Sequence, residues 1–217
     1  GMVRVTTSKG TYTARKVVLS VGAWAPSLYG AALPLPLFIE RRVLYWFRPD
    51  QEAQERGDFR RIPVYIWDMG GEGNFYGFPS EPSDPGRVKV AFHMAHTSRP
   101  HIPHPQALDR EVGAEETLQI RSVLSTRLPS MNHELVNTTT CMYTTTEDNN
   151  FVIDWEAGSG SRVLLVSACS GHGFKFTSVI GEIGADLVCS GTSKHDLSLF
   201  SLETAEKGGE KGAEKEV

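Results

Sequence analysis

Residues 162–189 read RVLLVSACSGHGFKFTSVIGEIGADLVC. Val163 to Val166 form an unbroken apolar run, the pattern of a strand buried on both faces. Ser170-Gly171-His172-Gly173 follows as a small-residue turn. Beyond it Phe174, Ile180, Ile183, Leu187 and Val188 recur at helical spacing and predict a helix over 174–189, on which Gly181 and Gly184 suggest close packing. Strand, glycine turn and helix make the repeating unit of an α/β sheet. A helix start offers unpaired N–H groups and the positive end of a dipole, which suit an anion. His172 and Lys175 add side-chain donors at that start. An ordinary connection, with Lys175 reaching into solvent along its own stem, accounts for the same residues. The turn is not GxGxxG, and Ala168 rules out the GxSxG elbow.

Outward from this stretch the pattern changes and then returns. Residues 3–21 read as two strands: the alternating Val3–Thr7, and the nearly continuous apolar run Lys16–Val21, which again suits a strand buried on both faces. Residues 25–37, with Pro26, Pro34 and Pro36, read as a connector. In the middle, Arg42–Phe47, Pro63–Trp67, Asn74–Phe78 and Arg87–His93 are short, aromatic and β-branched, the signature of an antiparallel sheet. Residues 98–105 form a Pro- and His-containing loop. Leu118, Ile120, Val123, Leu124 and Leu128 predict a helix over 114–128, stopped by Pro129. Val136–Tyr143 and Phe151–Asp154 read as strands, and the Glu-, Lys- and Gly-rich residues 204–217 as a disordered tail. The expected fold is α+β: an antiparallel sheet with a helix over 38–145, inserted into a split α/β portion made of 1–37 and 146–203.

Composition narrows the function classes. With 217 residues the chain is long enough for a substantial core, and a formal net charge of -4 disfavours nucleic acid and anionic membrane as partners. No apolar run approaches the roughly 20 residues that span a bilayer, and the start has no signal-peptide pattern, so a soluble, cytoplasmic protein is expected. Gly1-Met2 reads as a cleavage scar ahead of an initiator Met. Three cysteines without CxxC spacing, Cys141, Cys169 and Cys189, suit a reducing compartment, and each by default is a small buried apolar residue.

Three further features could carry chemistry. Lys89 and His93 share a face of the strand Val88–His93, and a lysine between valines is either buried and perturbed or on the solvated face of a half-buried sheet. His93, His96, His101 and His104 have zinc-like spacing, but Pro100, Pro103 and Pro105 interrupt them and no Cys, Asp or Glu joins closely, so no metal is expected. Cys141, in Thr140-Cys141-Met142-Tyr143-Thr144, is either core or a nucleophile toward an electrophilic cofactor carbon, and its spacing alone does not decide.

Taken in order, Cys141-Met142-Tyr143-Thr144, Phe151-Val152-Ile153-Asp154, Ser170 to Lys175 and His195 to Phe200 resemble the C-terminal part of the monomeric sarcosine oxidase and N-methyltryptophan oxidase family. Tyr76-Gly77-Phe78-Pro79, Lys89 with His93, Val18–Trp24 and residues 35–47 fit the same order, to about residue 202. The resemblance implies FAD as cofactor, joined by a thioether at Cys141. It implies oxygen activation at Lys89 with His93 nearby, and carboxylate binding at Lys175. Tyr76, Tyr143 and His172 would line the substrate side. Gly171, His172, Gly173, Phe174 and Lys175 would border the flavin, with the positive end of the following helix toward it. The implied partners are oxygen and a small secondary amine such as an N-methyl amino acid, oxidised to an imine that hydrolyses to an aldehyde, with hydrogen peroxide formed. Relatives acting on glycated or D-amino acids resemble the sequence less.

That family opens with a βαβ unit bearing GxGxxG, which holds the FAD pyrophosphate. The motif does not occur in these 217 residues. The α/β portion is therefore expected to be incomplete, in a fragment or a truncated product. Weak FAD binding and self-association through exposed apolar surface follow as expectations. A catalytically inactive remnant kept as a binding or assembly module is the alternative.

Overall fold

A computed structural model describes residues 1–29, 36–84, 86–95 and 101–206. Expectations about residues 30–35, His96, 98–100 and 207–217 lie outside the described residues. The chain divides into two compact units: residues 1–39, 103–106 and 143–217, and residues 40–102 and 107–142.

In the first unit the apolar run quoted above is strand β10 (Val163–Ser167). It is the middle strand of three, parallel to β3 (Val17–Leu19) and antiparallel to β9 (Val152–Trp155). Its two faces are both covered. Leu164 with Ile153 packs against Ile183 and Leu187 of helix α5 (Thr177–Ser190). Leu165 with Val152 packs against Ala25 of the short helix α1 (Ala25–Tyr29), Leu37 and Ala205. Alternation along a continuous apolar run thus feeds two clusters, as a doubly covered strand requires. The start of the chain differs from its reading. It forms three strands, because β1 (Val3–Thr7) turns at Ser8-Lys9 and pairs with β2 (Gly10–Ala14) before β3 begins. Strand β3 is an edge strand, and Val18 is 45% exposed where burial on both faces was expected.

In the second unit five strands lie in the order β5-β6-β7-β4-β8. They are β4 (Phe38–Arg48), β5 (Tyr65–Asp68), β6 (Gly73–Gly77), β7 (Val88–Ala95) and β8 (Glu134–Thr145). Helix α4 (Ala114–Arg127) covers one face: Ile120 and Leu124 are buried with Tyr45, Phe47, Phe75, Val88 and Val90. Arg41 ties that helix to the sheet, paired with Glu116, which also accepts a 2.9 Å hydrogen bond from Gly113 N at the helix start. Leu118, counted among the apolar positions, faces solvent. Two helices escape the sequence reading, α2 (Gln51–Arg56) and α3 (Asp58–Arg61). Apart from Ala53 and Phe59, both buried in the core of this unit, their residues are polar and show no periodicity. The legible signals were the Asp50 cap, which accepts from Ala53 N at 2.8 Å, and Gly57, at φ +67°.

Helix α5 begins at Thr177, preceded by a single 3-10 turn over Gly173–Phe176, where one helix from Phe174 was expected. Phe174 is 95% exposed, so it does not belong to the apolar face. A Cβ at Gly181 or Gly184 would meet open space, which corrects the expectation of close packing there. The chain is helical at 202–206 with Ala205 buried, so order continues past residue 203, where the tail was expected to begin. Among the described residues no helix is long and apolar enough to cross a membrane.

Candidate active site

Alternation along the second unit's sheet sorts its side chains. On β4, Arg41, Val43, Tyr45 and Phe47 face helix α4, and Tyr45 Oη donates to Glu116 O at 3.0 Å. Glu40, Arg42, Leu44 and Trp46 alternate with them and belong to the opposite face. Pairing of β7 with β4 sets Lys89 across from Trp46, and pairing with β6 sets Ala91 across from Tyr76. The ammonium of Lys89 then lies 4.9 Å from the ring centre of Phe78, 5.7 Å from Tyr76 and 6.0 Å from Trp46. Three rings at this range stabilise the cation through their quadrupoles. His93 meets the same Tyr76 ring edge to face at 6.4 Å. Lys89 and His93, paired in the sequence by their shared strand face, and Tyr76, implied by the resemblance, therefore form one cluster. Trp46 and Phe78 were not named as site residues; the ladder register is what brings them to Lys89.

Cys141, on β8, is partly buried. Burial pushes its thiol above the ordinary value, while Lys89 first and Arg42 second pull it back. Cys169, in the other unit, is raised by burial alone. Cys141 is thus a neutral thiol in a cationic field. Arg42 is ion-paired with Glu40, which is buried.

Close packing beneath β6 supports this face. A Cβ at Gly77 would overlap the Tyr65 ring and hydroxyl. Burial raises the Tyr65 phenol well above its ordinary value.

The first unit holds the other predicted residues. The turn after β10 is pinned by Ser170, whose N–H donates to Thr144 O at 2.8 Å and whose hydroxyl donates to Asn150 O at 2.7 Å. Ser170 and Gly171 have φ of +42° and +71°, the left-handed region. A Cβ at Gly171 would overlap the Tyr143 ring, and one at Gly173 would overlap the Ala168 carbonyl oxygen. Glycine at both positions is therefore a packing requirement. His172 stacks on Phe151 at 4.9 Å, and its Nδ1 lies 2.7 Å from Ser170 O. A carbonyl only accepts, so Nδ1 carries the hydrogen and Nε2 is left as the ring's acceptor when neutral. Lys175 is exposed, its ammonium 5.4 Å from the Phe176 ring centre. Tyr143, Gly171, His172 and Gly173 thus come together locally, while Phe174 and Lys175 extend from the turn into solvent. Among the described residues no group of three or more His, Cys, Asp or Glu side chains is placed to hold a metal ion.

The fold is of the α+β class. NikD, an unusual amino acid oxidase essential for nikkomycin biosynthesis, shares it with a TM-score of 0.70 at 23% identity, over 92% of this chain and 51% of that one. Residues 1–187 match the FAD dependent oxidoreductase (DAO) family, and the chain belongs to that family. It is 38% identical over 200 residues to monomeric sarcosine oxidase from Streptomyces avermitilis, covering 91% of this chain and 50% of that protein. It is 33% identical over 202 residues to N-methyl-L-tryptophan oxidase from Salmonella dublin, covering 92% of this chain and 50% of that protein. The chain spans about half the length of the curated relatives it matches.

Proposed function

We propose that this chain is the substrate-side and partial FAD-binding part of an oxidase that converts a small secondary amine, such as an N-methyl amino acid, to an imine. The imine hydrolyses to an aldehyde and an amine, and oxygen takes up the two electrons and two protons to give hydrogen peroxide. The single observation that supports it best is the Lys89 ammonium held over Trp46, Tyr76 and Phe78 in electrostatic reach of Cys141.

In this reading residues 40–102 and 107–142 form the substrate unit and the remainder the flavin-side unit. FAD, when bound, supplies the acceptor for a hydride equivalent from the carbon next to nitrogen. The donor set fits such a group: a partly buried thiol can tether it, and a nearby cation favours negative charge developing on oxygen. Cys141 is the tether and Lys89 the cation. Lys175, exposed beside the turn, is free to reach a carboxylate. On the substrate unit Tyr76 and His93 shape the amine pocket; on the flavin-side unit His172, with its tautomer fixed by Ser170 O, offers Nε2 as an acceptor, with Tyr143 packed on the same turn. The experiment is to supply the chain with FAD and an N-methyl amino acid and measure peroxide, with Lys89→Met as control. Peroxide that depends on amine and on Lys89 is expected; turnover unchanged in Lys89→Met would sink the assignment of that residue.

A second reading is an inactive binding or assembly module. It predicts no peroxide and no flavin absorbance retained after acid precipitation.

A further inference from the structure

We propose that Asp148 is a positioning residue: it anchors the loop that locks the His172 ring and leaves Nε2 as the ring's acceptor.

Ser170 links three parts of the first unit. Its N–H donates to Thr144 O at 2.8 Å, at the end of β8, and its hydroxyl donates to Asn150 O at 2.7 Å. Its own carbonyl accepts from His172 Nδ1 at 2.7 Å. Ser170 is 3% exposed and has φ +42°, a left-handed backbone kept by its surroundings. Chief among these is the loop 146–150, and Asp148 is its hub. Asp148 Oδ1 accepts from Thr146 Oγ1 at 2.7 Å and from Asn150 N at 2.9 Å, and Oδ2 accepts from Asn150 Nδ2 at 3.0 Å. Thr146 is fully buried, and its hydroxyl also lies 3.0 Å from Asn150 O. Burial pushes the Asp148 carboxyl up, but the hydrogen bonds from Thr146 and Asn150 outweigh it, and the net shift is downward. The carboxylate thus holds Asn150 by both its N–H and its side-chain amide, with the Asn150 carbonyl set against the Ser170 hydroxyl. The next residue, Phe151, is 5% exposed and stacks on His172 at 4.9 Å, with 28° between the rings. One loop therefore grips the imidazole twice, at Nδ1 through Ser170 and on its face through Phe151. A free neutral imidazole of histidine prefers its hydrogen on Nε2; this grip selects the other tautomer, whose Nε2 accepts from an N–H or O–H.

The use made of that acceptor rests on the oxidase reading. The test needs neither flavin nor amine, so its failure is distinct from that of the oxidase reading, which the peroxide assay decides. The full chain is labelled with heavy nitrogen and held at about pH 9, above the ordinary imidazole range. Proton–nitrogen correlation spectra of the rings then report which nitrogen carries the hydrogen. The His172 signals are identified by their loss in His172→Gln. Wild type should show chiefly Nδ1–H. Asp148→Ala should lower the ratio of Nδ1–H to Nε2–H about fivefold, the worth of one hydrogen bond. Asp148→Asn keeps an acceptor for Asn150 N and should stay nearer to wild type. Ser170→Ala removes one hydroxyl, leaves the loop's own bonds in place and should lower the ratio in the same direction. Ser159→Ala is the control: its hydroxyl accepts from Arg162 N and Val163 N, each at 3.3 Å, elsewhere in the unit. It should lower the melting temperature and leave the ratio alone. A wild-type ratio that favours Nε2–H overturns the proposal. So does a ratio unchanged in Asp148→Ala, or in Ser170→Ala where Asp148→Ala does not fold, since a loop that only stabilises would move the melting temperature and not the tautomer.

Discussion

Cys141 shows how little a residue type decides before its neighbours are known. In the sequence it is one cysteine of three; in the fold it alone has Lys89 and Arg42 acting on it. Lys89→Met should therefore raise the Cys141 thiol further and leave Cys169 unchanged, read from the pH profiles of their alkylation by iodoacetamide. Burial holds both thiols above their ordinary value, so the folded chain keeps these protons more tightly than the unfolded chain. The stability associated with them is full below the unfolded thiol pKa of about 8.5 and is lost as pH rises through the folded values. Thermal melts should fall on the alkaline side, and less steeply when both cysteines are replaced by Ala. Equal slopes in the two proteins would count against this. The glycines make a parallel case. Gly173→Ala puts a methyl group into the Ala168 carbonyl and should cost about 1–3 kcal/mol in denaturant melts, whereas Gly181→Ala, facing open space, should not destabilise.

At the scale of the element, one ion pair both starts helix α4 and fastens it to the sheet. Burial pushes the Glu116 carboxyl up, but Arg41 and the Gly113 N–H outweigh it, and the net shift is downward. A carboxyl lowered in the fold contributes stability above its unfolded pKa, about 4.3, and loses it as pH falls through the folded value. Glu116→Gln should cost about 1 kcal/mol near neutral pH and flatten the acid limb of the stability curve; an unaltered acid limb would refute that. The helix itself was legible because Ile120 and Leu124 keep helical spacing and Pro129 ends it. Helices α2 and α3 were not, since each buries a single side chain, Ala53 and Phe59, too little to make a period, and their caps are single residues easily read as turn. The strands were legible in kind, but β2 was passed over between the turn and β3 because Gly10–Ala14 carries no apolar alternation to mark a strand.

At the scale of the whole molecule, several large apolar side chains are in contact with solvent. In the second unit Ile66 and Trp67 lie on the edge strand β5, with Val64 just before it, and Ile66 is 65% exposed. In the first, Val18 lies on the edge strand β3, and Trp24 and Leu28 are also exposed. Unpaired edges with apolar side chains invite association. The chain should self-associate in light scattering with rising concentration, and Ile66→Lys should reduce the apparent mass; a clean monomer at high concentration would contradict this.

The sequence by itself determined the fold class, the order of the longer strands and helices, and which short motifs stand in family order. Apolar runs and their periods are local properties, and the spacing of Cys141, Tyr143, His172 and Lys175 along the chain is fixed by covalent connection. Only the tertiary structure decided which residues share an environment. Register across β6, β7 and β4 brings Tyr76, Lys89 and Trp46 together, with Phe78 beside them, residues distant in sequence, and no local pattern carries that register. The same holds for burial: Phe174 and Leu118 fit an apolar period yet face water, while Glu40 is charged and buried. A period says which residues line up, but only packing says what they line up against.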